Sequence, residues 1–399
     1  MIPKLLIFST LFYIACECRE HRHNSACSER SALLLLKRPA YEFSMNILDR
    51  VAQNEGAHFV FSPLSTWLQL SALAEGAEGD TFKEIWSITK HRQQRCLKLK
   101  LNRLKEYRRK SLIVIDKYVR VKPQYIKDVR RFYGVKVFRK NFNYPETSAK
   151  ELNNYIEEGM NGASVDSFYV DDFNNETMSL LLSDNVFFRS AWVFPFDSAF
   201  TYVERFQSSD GGYLGYVNMM SVTGYFNTTE MRFINAKVIE IPCLGDHSML
   251  IMMPIHNNTW IGDTFNYLNR TTLSSIFNRF KSDSVKLVNV KLPRFRINSN
   301  VDNLPELLYD MGLKKVFHPN YSELSRIGDE DLYASLIAQV ADIEVVEQGV
   351  RAEASAAALL INSGDQIDFI ANEPFAYMIV DRKTQFILFA GMYSIPSFY

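Results

Sequence analysis

Glu347-Gln-Gly-Val-Arg-Ala-Glu-Ala-Ser-Ala-Ala-Ala358 follows a β-type run, and a loop then leads to Pro374-Phe375. Two readings compete for this small-residue stretch. On its residues alone it is an alanine-rich surface helix, because alanine is the strongest helix former. It also suits a loop able to become a strand, since small side chains enter a closely packed sheet without clashes. The first reading gives an ordinary surface element. The second makes the end of the chain a segment that can change partners.

The neighbourhood of this stretch is mostly strand. Lys237-Val-Ile-Glu-Ile241 and Met249-Leu-Ile-Met-Met253 flank a Gly/Asp turn and predict a hairpin. Val285 to Leu292 is β-rich and stops at Pro293, and a last hairpin pairs Phe375–Val380 with Phe386–Phe389. A helix with Pro305 near its start carries Leu307, Leu308 and Met311 and ends at Gly312. The first half is richer in helix. Phe43, Ile47, Leu48 and Val51 share one helical face, a second helix starts near Pro63, and a third has Asp80 as its expected N-cap. Leu112–Ile115 and Val135–Phe138 are β-type runs, and Leu152, Tyr155, Ile156 and Met160 predict another helix. Helices and strands do not alternate regularly, so the class is α+β with large, mostly antiparallel sheets.

The chain has 399 residues, 47% of them hydrophobic, with 29 Phe and a net charge of zero. No linker, repeat or low-complexity tract divides it, which predicts one large domain on a sizeable core. Lys4 followed by the apolar run Leu5–Ala15 predicts a signal peptide over residues 1–18, leaving residues 19–399 as the exported domain. Sequons at Asn175, Asn227, Asn257, Asn269 and Asn320 point the same way, to a secreted, extracellular glycoprotein. No other segment is long and apolar enough for a membrane span. Cys27, Cys96 and Cys243 would remain after signal removal, an odd and widely spaced set that allows at most one bridge.

Enzyme chemistry finds no foothold: there is no His-Glu-x-x-His, Gly-x-Ser-x-Gly, P-loop or dinucleotide fingerprint. Catalytic residues, cofactors and metals are therefore expected to be none. His21, His23 and Cys27 could group around a metal but lie at the expected mature N-terminus. One region is strongly charged. From Lys90 to Lys140 there are 19 Lys/Arg against the three acids Glu106, Asp116 and Asp128. Read as a helix, residues 90–110 gather Arg92, Arg95, Lys98, Arg103, Arg108 and Arg109 as a candidate polyanion-binding face. A solvated basic helix is the plainer alternative. Nucleic acid is not an expected partner for an exported protein.

Over residues 40–396 the chain resembles the serpins. The resemblance rests on Phe61-Ser-Pro-Leu-Ser65 with Gly76-Ala-Glu-Gly79 and on Phe187-Phe-Arg-Ser-Ala-Trp192 with Pro195-Phe196, Thr201 and Phe206. Val217-Asn-Met-Met220, Met253-Pro254, Leu292-Pro-Arg294, Gly312–Phe317, Pro374-Phe375 and Leu388-Phe-Ala-Gly391 continue it in order. The style is similar to arthropod members. The resemblance implies a monomer with three β-sheets, eight or nine helices, an exposed reactive loop over about 349–373, and a metastable native state. A serine protease that cuts the loop is then trapped as the loop inserts as a new strand of the main sheet. A non-inhibitory extracellular binding protein is the alternative.

By the family's spacing, Gly349 is the hinge glycine and the scissile bond falls at Ser363-Gly364. No Arg or Lys stands between Arg351 and Arg382, and Leu360, Ile361, Asn362 and Ser363 suit an elastase- or chymotrypsin-like pocket. The hinge residues are Glu347, Gly349, Val350, Ala352 and Ala354, with Val350, Arg351 and Glu353 departing from the family pattern. Alternation gives Val350, Ala352, Ala354, Ala356 and Ala358 one parity, which the resemblance implies turns inward on insertion, and puts the charges on the other. The polar cluster beneath the opening sheet is assigned to Ser62, Ser65, Asp184 and Gln339, the last two replacing an asparagine and a histidine. A Gln339 amide donating to the Asp184 carboxylate is the expected compensation. Sulfated glycosaminoglycan is the further partner implied for the basic region.

Overall fold

Phe43, Ile47, Leu48 and Val51 are all buried on one side of helix α1 (Glu29–Glu55), as their spacing requires. The computed structural model describes residues 29–90, 108–158, 166–173, 179–188, 190–256, 260–349 and 366–399. Helix α2 (Pro63–Gly76) is buried along nearly its whole length. It starts where Ser62 caps it, accepting a hydrogen bond from Ser65 N, with Pro63 in the first turn. Helix α3 (Gly79–Thr89) corrects one expectation: Asp80 is not its cap. Glu323, far along the chain, accepts from Asp80 N at 2.6 Å and Thr81 N at 3.1 Å, while the Asp80 carboxylate pairs with Lys83 and Lys315. The remaining helices are α4 (Pro123–Tyr133), α5 (Pro145–Glu157), α6 (Thr264–Leu268), α7 (Leu273–Asp283) and α8 (Leu304–Asp310).

One sheet has five strands. They are β2 (Arg108–Asp116), β3 (Val135–Lys140), β4 (Ser179–Phe188), β10 (Phe295–Val301) and β11 (Tyr333–Val345), in the order β10-β11-β4-β2-β3. Both faces of its centre are covered, which explains why every residue of β4 is buried. Leu180, Leu182, Ile113 and Ile115 face the main core. Leu181, Phe187, Leu112 and Val114 face a second core with Leu152 and Ile156 of α5.

The other sheet comprises β1 (Phe59–Phe61), β5 (Tyr202–Gln207), β6 (Tyr213–Met231), β7 (Ala236–Pro242), β8 (His247–Pro254), β9 (Val285–Pro293), β12 (Ile367–Ile370), β13 (Phe375–Asp381) and β14 (Ile387–Tyr393). The β7–β8 and β13–β14 hairpins form as the sequence predicts. The α+β class stands, but three sheets become two hydrogen-bonded ones. The cause is the 19-residue strand β6, which pairs β5 and β9 along its length and then β7 at its end, so one ladder joins what would be separate sheets. Among the described residues, no helix is long and apolar enough to cross a membrane.

Candidate functional site: the β4–β11 strand pair and the loop hinge

Strands β4 and β11 are parallel neighbours at the centre of the five-stranded sheet, with Gln339 directly opposite Asp184. The two side chains ignore each other. Gln339 turns to the start of α2: its Oε1 accepts from Ser62 N at 2.5 Å, and its Nε2 donates to Ser62 O at 3.0 Å and Thr66 Oγ1 at 2.9 Å. Ser62 Oγ donates to Leu388 O at 2.6 Å, which ties the same turn to β14. The expected Gln339–Asp184 bond is therefore replaced by two separate fastenings.

Asp184 is held by Arg109 of β2. Arg109 Nη2 lies 3.0 Å from Asp184 Oδ1, and the pair is almost sealed from water, with side-chain exposures of 7% and 1%. The guanidinium also donates to Ser65 Oγ at 2.6 Å, Ser111 Oγ at 2.9 Å, and the carbonyls of Tyr133 and Ser65 at 2.8 and 3.3 Å. Burial pushes the Asp184 carboxyl above its usual range, and the Arg109 charge opposes that push. This corrects the reading of Arg109 as part of an exposed polyanion face. Its donors are spent inside the protein, in a strand and not a helix. Arg108 opens the same strand, and Arg92, Arg95, Lys98 and Arg103 lie outside the described residues.

At the far end of β11 the chain leaves the sheet through a fixed exit. Trp192 Nε1 donates to Val346 O at 2.9 Å, Phe196 N donates to Glu347 O at 2.8 Å, and Gly349 N donates to Val346 O at 3.0 Å. The Glu347 carboxylate accepts from Thr201 Oγ1 at 2.9 Å and lies 3.4 Å from Arg294 Nη1. Gly349 forms an isolated bridge with Ala191 at φ 80°. Val350, Ala352 and Ala354, and the expected scissile pair Ser363-Gly364, lie outside the described residues. The chain resumes in β12, paired with β9 in the other sheet, so this segment links the two sheets.

Other assigned residues separate by burial. Asn269 and Asn320 are exposed, whereas Asn227 sits in β6 with its amide donating to the buried Glu240 carboxylate at 2.8 Å. Asn227 is thus already engaged, and Asn175 and Asn257 lie outside the described residues. Cys243 is buried and unbridged, and burial pushes its thiol up to about 12. Among the described residues, no group of three His, Cys, Asp or Glu could hold a metal ion. The residues that sequence reasoning missed are Thr66, Ser111, Tyr133 and the inward role of Arg109, none of which carries a local signal.

A family model described as Serpin (serine protease inhibitor) matches residues 39–396. Serpin A9 of Mus musculus is 26% identical over 373 residues, covering 89% of this chain and 87% of its own. The crystal structure of Serpin48, a highly specific serpin of the insect Tenebrio molitor, matches with a TM-score of 0.74 and 28% identity, covering 90% of this chain and 97% of its own. Native protease nexin-1 with heparin has the same fold, with a TM-score of 0.81 at 22% identity, covering 92% of this chain and all of its own.

Proposed function

From the premise that this chain belongs to the serpin family of serine protease inhibitors, we propose that it is a secreted inhibitor that traps an elastase- or chymotrypsin-like serine protease by loop insertion. The observation that carries this reading is the parallel β4–β11 pair with the loop leaving from the end of β11. A segment turning back from β11 runs antiparallel to β11. Because β4 is parallel to β11, the segment is antiparallel to β4 as well. A strand entering between them exchanges one parallel ladder for two antiparallel ones, the more stable kind. Each added ladder bond contributes about 1 kcal/mol net. Cutting the loop at or near Ser363-Gly364 frees it to enter, so the native state is protected by a barrier.

Export is supported by the exposed sequons Asn269 and Asn320 and by the N-terminal apolar run. A sulfated glycosaminoglycan is the second partner. Lys127, Arg130 and Arg131 lie on one face of α4, and all three are exposed without an ion pair among the described residues. The heparin in the protease nexin-1 structure belongs to that protein, and its chemistry is the kind this basic surface would take.

The test is incubation with a panel of elastase-, chymotrypsin- and trypsin-like proteases, read on a denaturing gel. A band at the summed mass with the first two classes, and loop cleavage at or within a few residues of Ser363, is the expected result. Cleavage without any complex would establish the non-inhibitory binding protein instead.

A further inference from the structure

We propose that Arg109 is the positioning residue that latches the β4 side of the opening sheet onto helix α2 and thereby sets the rate of loop entry. This rests on the insertion reading above. Both lips of the β4–β11 seam are fastened to one stretch, Ser62 to Thr66. Gln339 fastens β11 there through Ser62 N, Ser62 O and Thr66 Oγ1. Arg109 fastens β2 and, through Asp184, β4 there, by donating to Ser65 Oγ and Ser65 O.

Admitting a strand requires the lips to move apart by about one strand spacing, ~4.8 Å. A hydrogen bond is lost well before that displacement. Gln339 and Arg109 therefore cannot both keep α2 while the sheet is open. The two fastenings are unequal. Gln339 makes neutral bonds at the very start of the helix, whereas Arg109 makes charge-assisted bonds from a planar fork to α2, α4, β2 and β4 at once. Moving β2 and β4 off α2 leaves Arg109 its ion pair with Asp184 but strips a buried charge of both its bonds to Ser65, a heavier loss than releasing an amide. The β11 lip has a further tie, because Val60 N of β1 donates to Ser299 Oγ of the neighbouring β10 at 3.0 Å, so the lip that moves is β4 and opening must break the Arg109 bonds to Ser65.

The position is also specific to arginine. A lysine can reach Asp184 as a point charge, but it has no fork with which to serve Ser65, Ser111 and Tyr133 together. Arg109→Lys thus loosens the latch while keeping the charge balance. A second variant, Arg109→Gln with Asp184→Asn, removes both charges and leaves no unpaired ion, so it guards against a single variant that fails to fold.

The experiment follows full-length protein nicked in its loop by a protease that forms no complex, with heat resistance measured over time at fixed temperature. Nicked wild type is expected to gain heat resistance as the loop enters. The variants should do so faster by about tenfold or more, the factor that corresponds to losing one or two such bonds. If wild type gains heat resistance and the variants match it or lag, the latch is overturned while the insertion reading survives. If nicked wild type never gains heat resistance, insertion itself is refuted and the latch falls with it.

Discussion

The backbone nitrogen of Trp192 lies 2.4 Å from the point where a Cβ on Gly349 would sit. Ala191 Cα is 2.5 Å from the same point, and the glycine holds φ at +80°. Space and backbone angle both demand glycine here, and together they clamp the start of the loop against the segment that carries Trp192. The conformation of Gly349 is thus built into the exit from β11.

Gly349→Ala is accordingly expected to cost about 1–3 kcal/mol of native stability, from the strained angle and the displaced bridge. Thermal unfolding of the uncleaved protein checks it. An unchanged midpoint would mean that the hinge is not docked on Trp192 in solution.

Val350→Arg should convert the protein from inhibitor to substrate, because alternation turns this position inward once the loop inserts. An unpaired buried charge costs several kcal/mol and slows entry until the acyl bond hydrolyses. Arg351→Ala, on the outward parity, should leave the yield of complex nearly unchanged. Equal effects from the two substitutions on a denaturing gel would refute the alternation argument.

Cys243 should be inert in the folded protein. Its thiol is buried and pushed up to about 12, so almost no thiolate exists at pH 8. A thiol reagent should therefore modify it only after unfolding in denaturant. Mass spectrometry localises the label, and fast native modification of Cys243 would contradict the buried placement.

Replacing Lys127, Arg130 and Arg131 together by Ala should weaken heparin binding and flatten its salt dependence. By analogy with nucleic acids, log affinity changes by roughly 0.7–0.9 per decade of salt for each neutralised contact, so the slope should fall by about two to three. Elution position from heparin resin across salt concentrations reads it. If the triple variant elutes with wild type, polyanion binding lies elsewhere in the Lys90–Lys140 region.

Much of this architecture was legible from local signals. Helix α1 follows from its apolar spacing, the β13–β14 hairpin from two apolar runs around a polar turn, and the end of β9 from Pro293. Gly349, the proposed hinge, was singled out through the family spacing, and the backbone of Ala191 and Trp192 leaves no room for a Cβ there. These features depend on residues close together in the chain, where periodicity and turn chemistry act.

The tertiary structure alone decided the rest. Arg109 looked like one cation in a basic run, yet it is buried against Asp184, 75 residues away. Asp80 looked like a helix cap, yet Glu323 takes the amides of α3. Asn227 looked like an open sequon, yet Glu240 on the neighbouring strand holds its amide. In each case the deciding partner comes from a distant element, and its arrival changes the burial and pairing of a polar group. Sequence determined which segments could become helices and hairpins, because those preferences are local. Which charged side chain turned inward was settled only by the strands and helices that closed over it, because an ion is tolerated there only when fold-supplied partners satisfy it.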